Sequence, residues 1–223
     1  MMNNFENVNN RRTRPAKSPL SRDIIIRTAY KLLSENGISG MSMRKVAKAL
    51  DTGPASLYVY VDNYQKLSSD VLDYALRDVQ LIEGDTVSWK DAIIQVLKSY
   101  FITLVKTPGL AELTLTTTPN GSNSMDINEC LLRNLQAGGI SPRGAAWGLD
   151  ILLLYASSIA VERSRHQEKD IALEAMRTSY NIIDKAKYPM ISMLNSELFS
   201  GDGDERFVWG IEVILQGILS MKK

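Results

Sequence analysis

Residues 42–67, SMRKVAKALDTGPASLYVYVDNYQKL, constrain the fold more than any other stretch of the chain. Met43, Val46, Ala47 and Leu50 fall at i, i+3, i+4 and i+7, which puts them on one face of a short helix. Asp51-Thr52-Gly53-Pro54 interrupts that helix, and Pro54 suits the first position of the next, where its missing N–H has no intrahelical partner to lose. Beyond the break Leu57 and Val61 face inward, while Ser56, Tyr58, Val59 and Tyr60 point elsewhere. Two short helices joined by a tight, Gly-containing turn predict a helix-turn-helix, a unit whose second helix enters the major groove of DNA.

The flanking sequence extends this unit into a head. Ser21 is a good N-cap for a helix over 22–36 that Gly37 closes, with Ile25, Ala29, Leu32 and Leu33 turned inward. A fourth helix carries Leu67, Val71, Tyr74 and Ala75 and is expected to run to about Ile82, with Glu83-Gly84-Asp85 as a domain boundary. No strand signal follows. Helices are expected from the capping box at Ser88 to about Pro108, over 110–117, 123–136, 141–166, 169–184 and 189–198, and finally over 205–221. The chain reads as all-α: a basic tail (1–20), a helix-turn-helix head (21–66), a linking helix (67–84) and a helical body (85–223).

Charge divides along the same line. Residues 1–66 hold eleven Lys/Arg and five Asp/Glu, so the remainder of the chain is acidic although the whole carries only +1. A basic head on an acidic body is what a polyanion-binding module needs. The polar tail, with Arg11, Arg12, Arg14 and Lys17 among Asn and Pro, is expected to be disordered and lacks the apolar core of a signal peptide. Cys130 is the single cysteine and reads as a buried small hydrophobe in a cytoplasmic protein. Residues 144–161 carry one charge, Asp150, and read as a buried helix rather than a membrane span. No cluster of His, Cys and carboxylates suggests a metal or another cofactor, and no nucleophile elbow or phosphate loop suggests an enzyme.

The last helix has one polar stripe, Glu212, Gln216 and Ser220, and is apolar nearly everywhere else, so it must be covered on more than one side. Either it threads the core of its own body, or it packs half on that body and half on a second subunit. The second reading is favoured because a helix-turn-helix generally binds DNA as a two-fold pair; Gly210 and Gly217 would permit close approach. Leu149, Leu153, Ile211, Ile214, Leu215 and Ile218 are the candidate interface residues of a homodimer.

The runs GISGMSMRKVAKAL and PASLYVYV, then TPGLAEL, NLQAGGISPRGAAWGLDILLLY and SGDGDERFVWGIEVILQGILS, together resemble the tetracycline-repressor-like (TetR) transcriptional regulators over nearly the whole chain. The resemblance implies a homodimer that binds a palindromic DNA operator and blocks transcription until a small effector in the body releases it. It also implies DNA contacts by Ser42 and Arg44, by Pro54, Ala55 and Ser56 at the start of the reading helix, and by Tyr58. Tyr60 and Tyr64 stand where the family usually has His and Lys, bringing hydroxyls but no charge, and Lys66, two residues on, is the candidate compensating cation. Tyr100, Leu104, Met125, Trp147 and Tyr155 are the candidate effector-pocket residues. The family's tetracycline–magnesium receptors use histidines; the one histidine here, His166, is expected to cap a helix end, which argues against tetracycline itself. The competing readings are a helical binding protein or enzyme with a fortuitous helix-turn-helix, and a regulator that works without an effector.

Overall fold

The computed structural model describes residues 19–82, 87–164 and 166–221, with side chains of 166–172 outside the description. The basic tail, the 83–85 boundary and the His166 cap therefore lie outside the described residues. Among those described there is no strand, in keeping with an all-α chain. The head comprises α1 (Arg22–Asn36), a 3-10 turn (Ile38–Gly40), α2 (Met43–Ala49) and α3 (Pro54–Leu57). Next comes α4 (Tyr64–Leu76), which joins the head to the body helices α5 (Trp89–Lys106), α6 (Leu110–Thr116), α7 (Ser122–Ala137) and α8 (Pro142–Ser164). The chain ends in α9 (His166–Asn181), α10 (Pro189–Met193), α11 (Asn195–Leu198) and α12 (Gly203–Ser220).

The starts of the helices are written locally. Ser21, Ser42, Asn63 and Ser88 each turn a side-chain oxygen to a free backbone N–H at the start of α1, α2, α4 and α5. Asp202 and Glu205 form a reciprocal capping box, which is why α12 begins at Gly203 rather than at 205. α4 departs further from expectation, starting at Tyr64 and ending at Leu76 instead of reaching Ile82. Residues 79–82 leave the helix because their backbone is held elsewhere: Gln80 N–H donates to Ser99 Oγ (2.8 Å) and Ile82 C=O accepts from Asn134 Nδ2 (3.1 Å) and from the buried Cys130 thiol (3.3 Å). α9 begins and ends three residues earlier than expected, and Leu194 divides 189–198 into two short helices.

One continuous apolar cluster runs from Ile25, Leu33 and Leu57 in the head, through Leu67, Val71 and Leu72 of α4, to Leu97, Leu131, Leu152 and Ile211 in the body. α4 is enclosed on nearly every side because it packs against α1 and also against α5, α6 and α7. α8 is long and apolar enough to cross a bilayer by length and composition alone. Its apolar residues instead divide among three directions. Ala145, Gly148, Leu152, Ala156 and Ala160 enter the body core, Leu149 and Leu153 are half-buried beside a cavity, and Trp147, Ile151 and Leu154 are exposed. α12 lies antiparallel on α8: Ile218 fills the space above Gly148, and Tyr155 fills that above Gly210.

This pairing takes two of the expected interface residues into the subunit's own core. Ile211 and Leu215 are fully inside the body core, and Ile214 and Ile218 are half-buried against their own chain. Gly210 is used up by the contact with Tyr155, whereas Gly217 opens onto free space. The exposed apolar residues of α12 are Trp209, Val213 and Leu219.

Head and body meet most tightly at Gly109, which has φ +79° and sits against the backbone of Gly37 and Ile38. A Cβ there would lie 2.6 Å from Ile38 N. Gly109→Ala combines an unfavourable left-handed residue with backbone overlap, and is expected to lower unfolding free energy by about 2–4 kcal/mol in urea denaturation.

Candidate functional site

The helix-turn-helix is built around a short break. α2 ends as Asp51 N–H donates to Lys48 C=O (3.1 Å) and Thr52 N–H to Ala47 C=O (2.9 Å). Asp51, not Gly53, takes the left-handed conformation (φ 51°); Gly53 is extended and serves as N-cap to Pro54. Asp is among the few non-glycine residues that tolerate this backbone. After Leu57 the helix tightens into a hydrogen-bonded turn that buries Val61.

That geometry turns most of the expected DNA-contact residues outward. Arg44, Pro54, Ala55, Tyr58, Tyr60 and Tyr64 are exposed, and Ser42 and Ser56 are half-buried. Ser42 Oγ accepts from Lys45 N–H as the α2 cap, which leaves its hydroxyl hydrogen free to donate. Lys66 is different. Its ammonium lies 3.0 Å from Asp70 and 3.3 Å from Asn120 Oδ1, so a phosphate contact would have to break or share that pair. One feature escaped sequence reading: Lys45 and Lys48 are exposed on the same short helix as Arg44, and their places off the Met43, Val46 and Ala47 face were the available signal. Val59, expected to point away from the core, is 79% exposed between the two tyrosines at the tip of the head.

Behind the head, α4 is tied in both directions. Asp70, almost wholly buried, accepts from Nε and Nη2 of Arg22 of α1, one edge of the guanidinium (2.7–3.0 Å), and from Lys66. Ser69 Oγ lies 3.1 Å from Thr118 C=O and from Asn120 Oδ1. Asp73 accepts from Ser124 N–H (2.9 Å) and Asn123 Nδ2 (3.0 Å), placing a carboxylate at the positive N-terminal end of α7. Tyr30 of the head reaches Thr107 at the end of α5 (3.1 Å), and Arg77 lies over the Tyr74 ring (3.6 Å).

Two clefts of the body differ in character. One, of about 390 Å³, is lined by Leu76 at the end of α4, by the 114–119 segment, by Ser124, Ile127 and Asn128 of α7, and by α8 from Ala146 to Ser157. Tyr100 forms its floor, hydrogen-bonded to Ser157 (3.1 Å); burial raises the tyrosine pKa above its usual value and outweighs that bond, so the hydroxyl stays neutral. The other, of about 760 Å³, lies between α8 and α12 over Phe101, Tyr155 and Phe207, and touches no residue of α4. The five expected pocket residues are therefore not one site. Tyr100 lines the first cleft and Tyr155 the second, Leu104 is core, and Met125 and Trp147 are exposed, the latter beneath Arg143. Leu149 and Leu153, expected at the subunit interface, line the first cleft.

Comparison with known proteins agrees with this architecture. Residues 25–65 match the family profile "Bacterial regulatory proteins, tetR family", and residues 83–222 match "Tetracyclin repressor-like, C-terminal domain". The chain is 25% identical over 221 residues to the HTH-type transcriptional repressor DrrR1 of Streptomyces coeruleorubidus, covering 92% of this chain and 80% of that protein. It superposes on apo ActR from Streptomyces coelicolor with a TM-score of 0.84 at 29% identity, covering 92% of this chain and 97% of that one. ActR in complex with actinorhodin gives a TM-score of 0.83 at 29% identity, with coverage of 91% and 97%.

Because Arg44 and Tyr64 are exposed, substitutions there should act on DNA affinity and leave folding alone. Arg44→Ala is expected to weaken binding to the regulated promoter about tenfold or more, the scale of one good charged contact, at unchanged melting temperature. Tyr64→Lys is expected to steepen the dependence of log affinity on log salt by about one unit, read by fluorescence anisotropy across a salt series.

Proposed function

The chain belongs to the TetR family and is a ligand-responsive, DNA-binding transcriptional repressor; we propose that it grips a palindromic operator as a homodimer and lets go when a small molecule fills the 390 Å³ cleft. The observation that carries the reading is the pair of ties on α4. The 117–120 segment that walls the cleft is hydrogen-bonded to Ser69 and Lys66, and Asp70, one residue on from Ser69, holds Arg22 of the head. A ligand that prefers one position of this wall thereby prefers one position of the head, which is what differential affinity requires. The larger cleft has no such path to α4, so occupancy there does not bear on the head in the same way. ActR, whose structures include complexes with actinorhodin and with (S)-DNPA, supports ligand control in a body of this shape.

The subunit interface follows from what the single chain leaves uncovered. Trp147, Ile151 and Leu154 of α8 and Trp209 and Val213 of α12 are each about half exposed or more, and recur at i, i+4 and i+7 spacing. Two such antiparallel helices from each of two subunits form a four-helix seam. The arm of α9, α10 and α11 adds Met176, Met190, Met193 and Leu198 on its outer side, and none of its described side chains from 173 to 200 is buried by its own chain. The heads then face two half-sites about one helical turn apart or slightly more. The protein acts in the cytoplasm, where its operator is.

Replacing Ile151 and Val213 together by Glu places charge on this seam without touching the core. Sedimentation equilibrium should show monomers, operator affinity should collapse, and the helical circular-dichroism signal should persist; a dimer that survives would sink the assigned seam. For the wild type, affinity for its own promoter should fall by about a thousandfold between 50 and 200 mM salt, as release of several counterions requires, while random DNA binds far more weakly. Asn120→Ala, which removes the wall's side-chain ties to Lys66 and Ser69 and leaves only the Ser69–Thr118 bond, is expected to reduce the ligand-induced loss of operator affinity by about fivefold or more with ligand binding itself retained, since coupling of this kind is worth about 1–3 kcal/mol.

A further inference from the structure

We infer that the ligand of the 390 Å³ cleft is an apolar compound bearing a basic nitrogen, with Asp150 of α8 as the group that receives it. The inference rests on the cleft being the effector site, as proposed above. Its walls are of two kinds. Leu76, Leu115, Ile127, Leu149 and Leu153 supply apolar surface, and Thr, Ser, Asn and Tyr side chains supply neutral hydrogen-bonding groups. Asp150 is the one charged residue in the lining, and no Lys, Arg or His accompanies it. Among the described residues the Asp150 side chain has neither an ion pair nor a hydrogen bond. Other carboxylates with a structural task are partnered: Asp70 by Arg22 and Lys66, Asp73 by Asn123 and the α7 backbone, Asp202 by the α12 backbone.

The contrast with the other clefts sharpens the point. The large cleft over Phe101 carries Arg163 and Arg206 beside its glutamates, and the groove between Tyr30 and α5 carries Lys98 and Lys106 beside Asp78. Only the 390 Å³ cleft of these three has acid without base. An anionic ligand there would lose water and meet a like charge, with no cation to offset either cost. A protonated amine on an apolar frame meets the reverse: area to cover, neutral acceptors along the wall and a carboxylate at α8. The neutral Tyr100–Ser157 pair on the floor offers no competing charge.

Three matched probes test this on the full-length dimer: 1-naphthylmethylamine, 1-naphthylmethanol and 1-naphthylacetate, titrated at pH 7.5 by ligand-observed NMR. Wild type is expected to bind the amine about five- to tenfold more tightly than the alcohol, the size expected for a charge pair at a partly solvated site, and to bind the acid most weakly. Asp150→Asn should bring amine and alcohol level, and Leu115→Trp, which fills the cleft from an exposed position, should weaken all three. An acid that binds as well as the amine, or an amine preference that survives Asp150→Asn, overturns the inference while the cleft stands. Failure of all three probes to bind wild type, or indifference of all three to Leu115→Trp, overturns the cleft as effector site and the inference with it.

Discussion

The carboxylate of Asp70 is where the head, the linking helix and the body come together. It is almost wholly buried and is compensated by two cations, one contributed by α1 and one by its own helix. Removing one partner from a buried pair leaves a charge that low-dielectric surroundings penalise heavily, so the three groups hold their arrangement together or lose it together. Lys66 is also within reach of Asn120, and Ser69 of Thr118, so the same short stretch of α4 fixes the loop that borders the ligand cleft. The head rests on the body directly where Tyr30 reaches Thr107 and Gly109 meets Gly37 and Ile38, and Asp70 adds a second tie that runs through α4. In the proposed reading, the orientation of the head follows a helix whose position a ligand in the cleft helps to set.

This arrangement accounts for the degree to which α4 is enclosed. A linker that only spaced two domains would show an exposed face, yet Leu67, Val71, Leu72, Ala75 and Leu76 are all buried and belong to one cluster extending into both head and body. With apolar contacts on all sides and directional polar ties at Ser69, Asp70 and Asp73, a rigid shift of the helix is easier to accommodate than bending within it. Packed interfaces of this sort settle into one arrangement or another and do not deform continuously. A ligand in the cleft can thus act as a selector between head positions.

Much of the head was legible in the sequence because its signals are local. Ser21, Ser42 and Pro54 mark helix starts by their own backbone chemistry, and Leu57 and Val61 announce their burial by spacing. The break itself was placed correctly, although its left-handed residue is Asp51 and not the glycine. The body was legible in its helices, apart from the split at Leu194, and poorly legible in its faces. Aromatic or apolar character marks Trp147, Met125, Leu104 and Tyr155 equally, yet one is covered by Arg143, one is exposed, one is core and one stacks on Phe207 across another cleft. Ile211 and Leu215 differ from Trp209 and Val213 only in which side of α12 meets α8, and that is decided by small residues 50 or more positions away. The end of α4 was missed for the same reason: its cause is a set of hydrogen bonds to Ser99 and Asn134.

α8 uses every turn of its surface. From 145 to 157, consecutive residues lie in the body core, in the lining of a cleft, against α12 or on the face proposed as the subunit seam. Such crowding makes the helix pleiotropic: a substitution that alters ligand preference at Leu149 or Leu153 sits one residue from side chains that govern core packing or subunit pairing. The 114–119 segment carries no such second duty at Leu115 or Thr117. Drift toward new ligands is therefore channelled into that short segment, while α8 is held nearly constant by the combined demands on it.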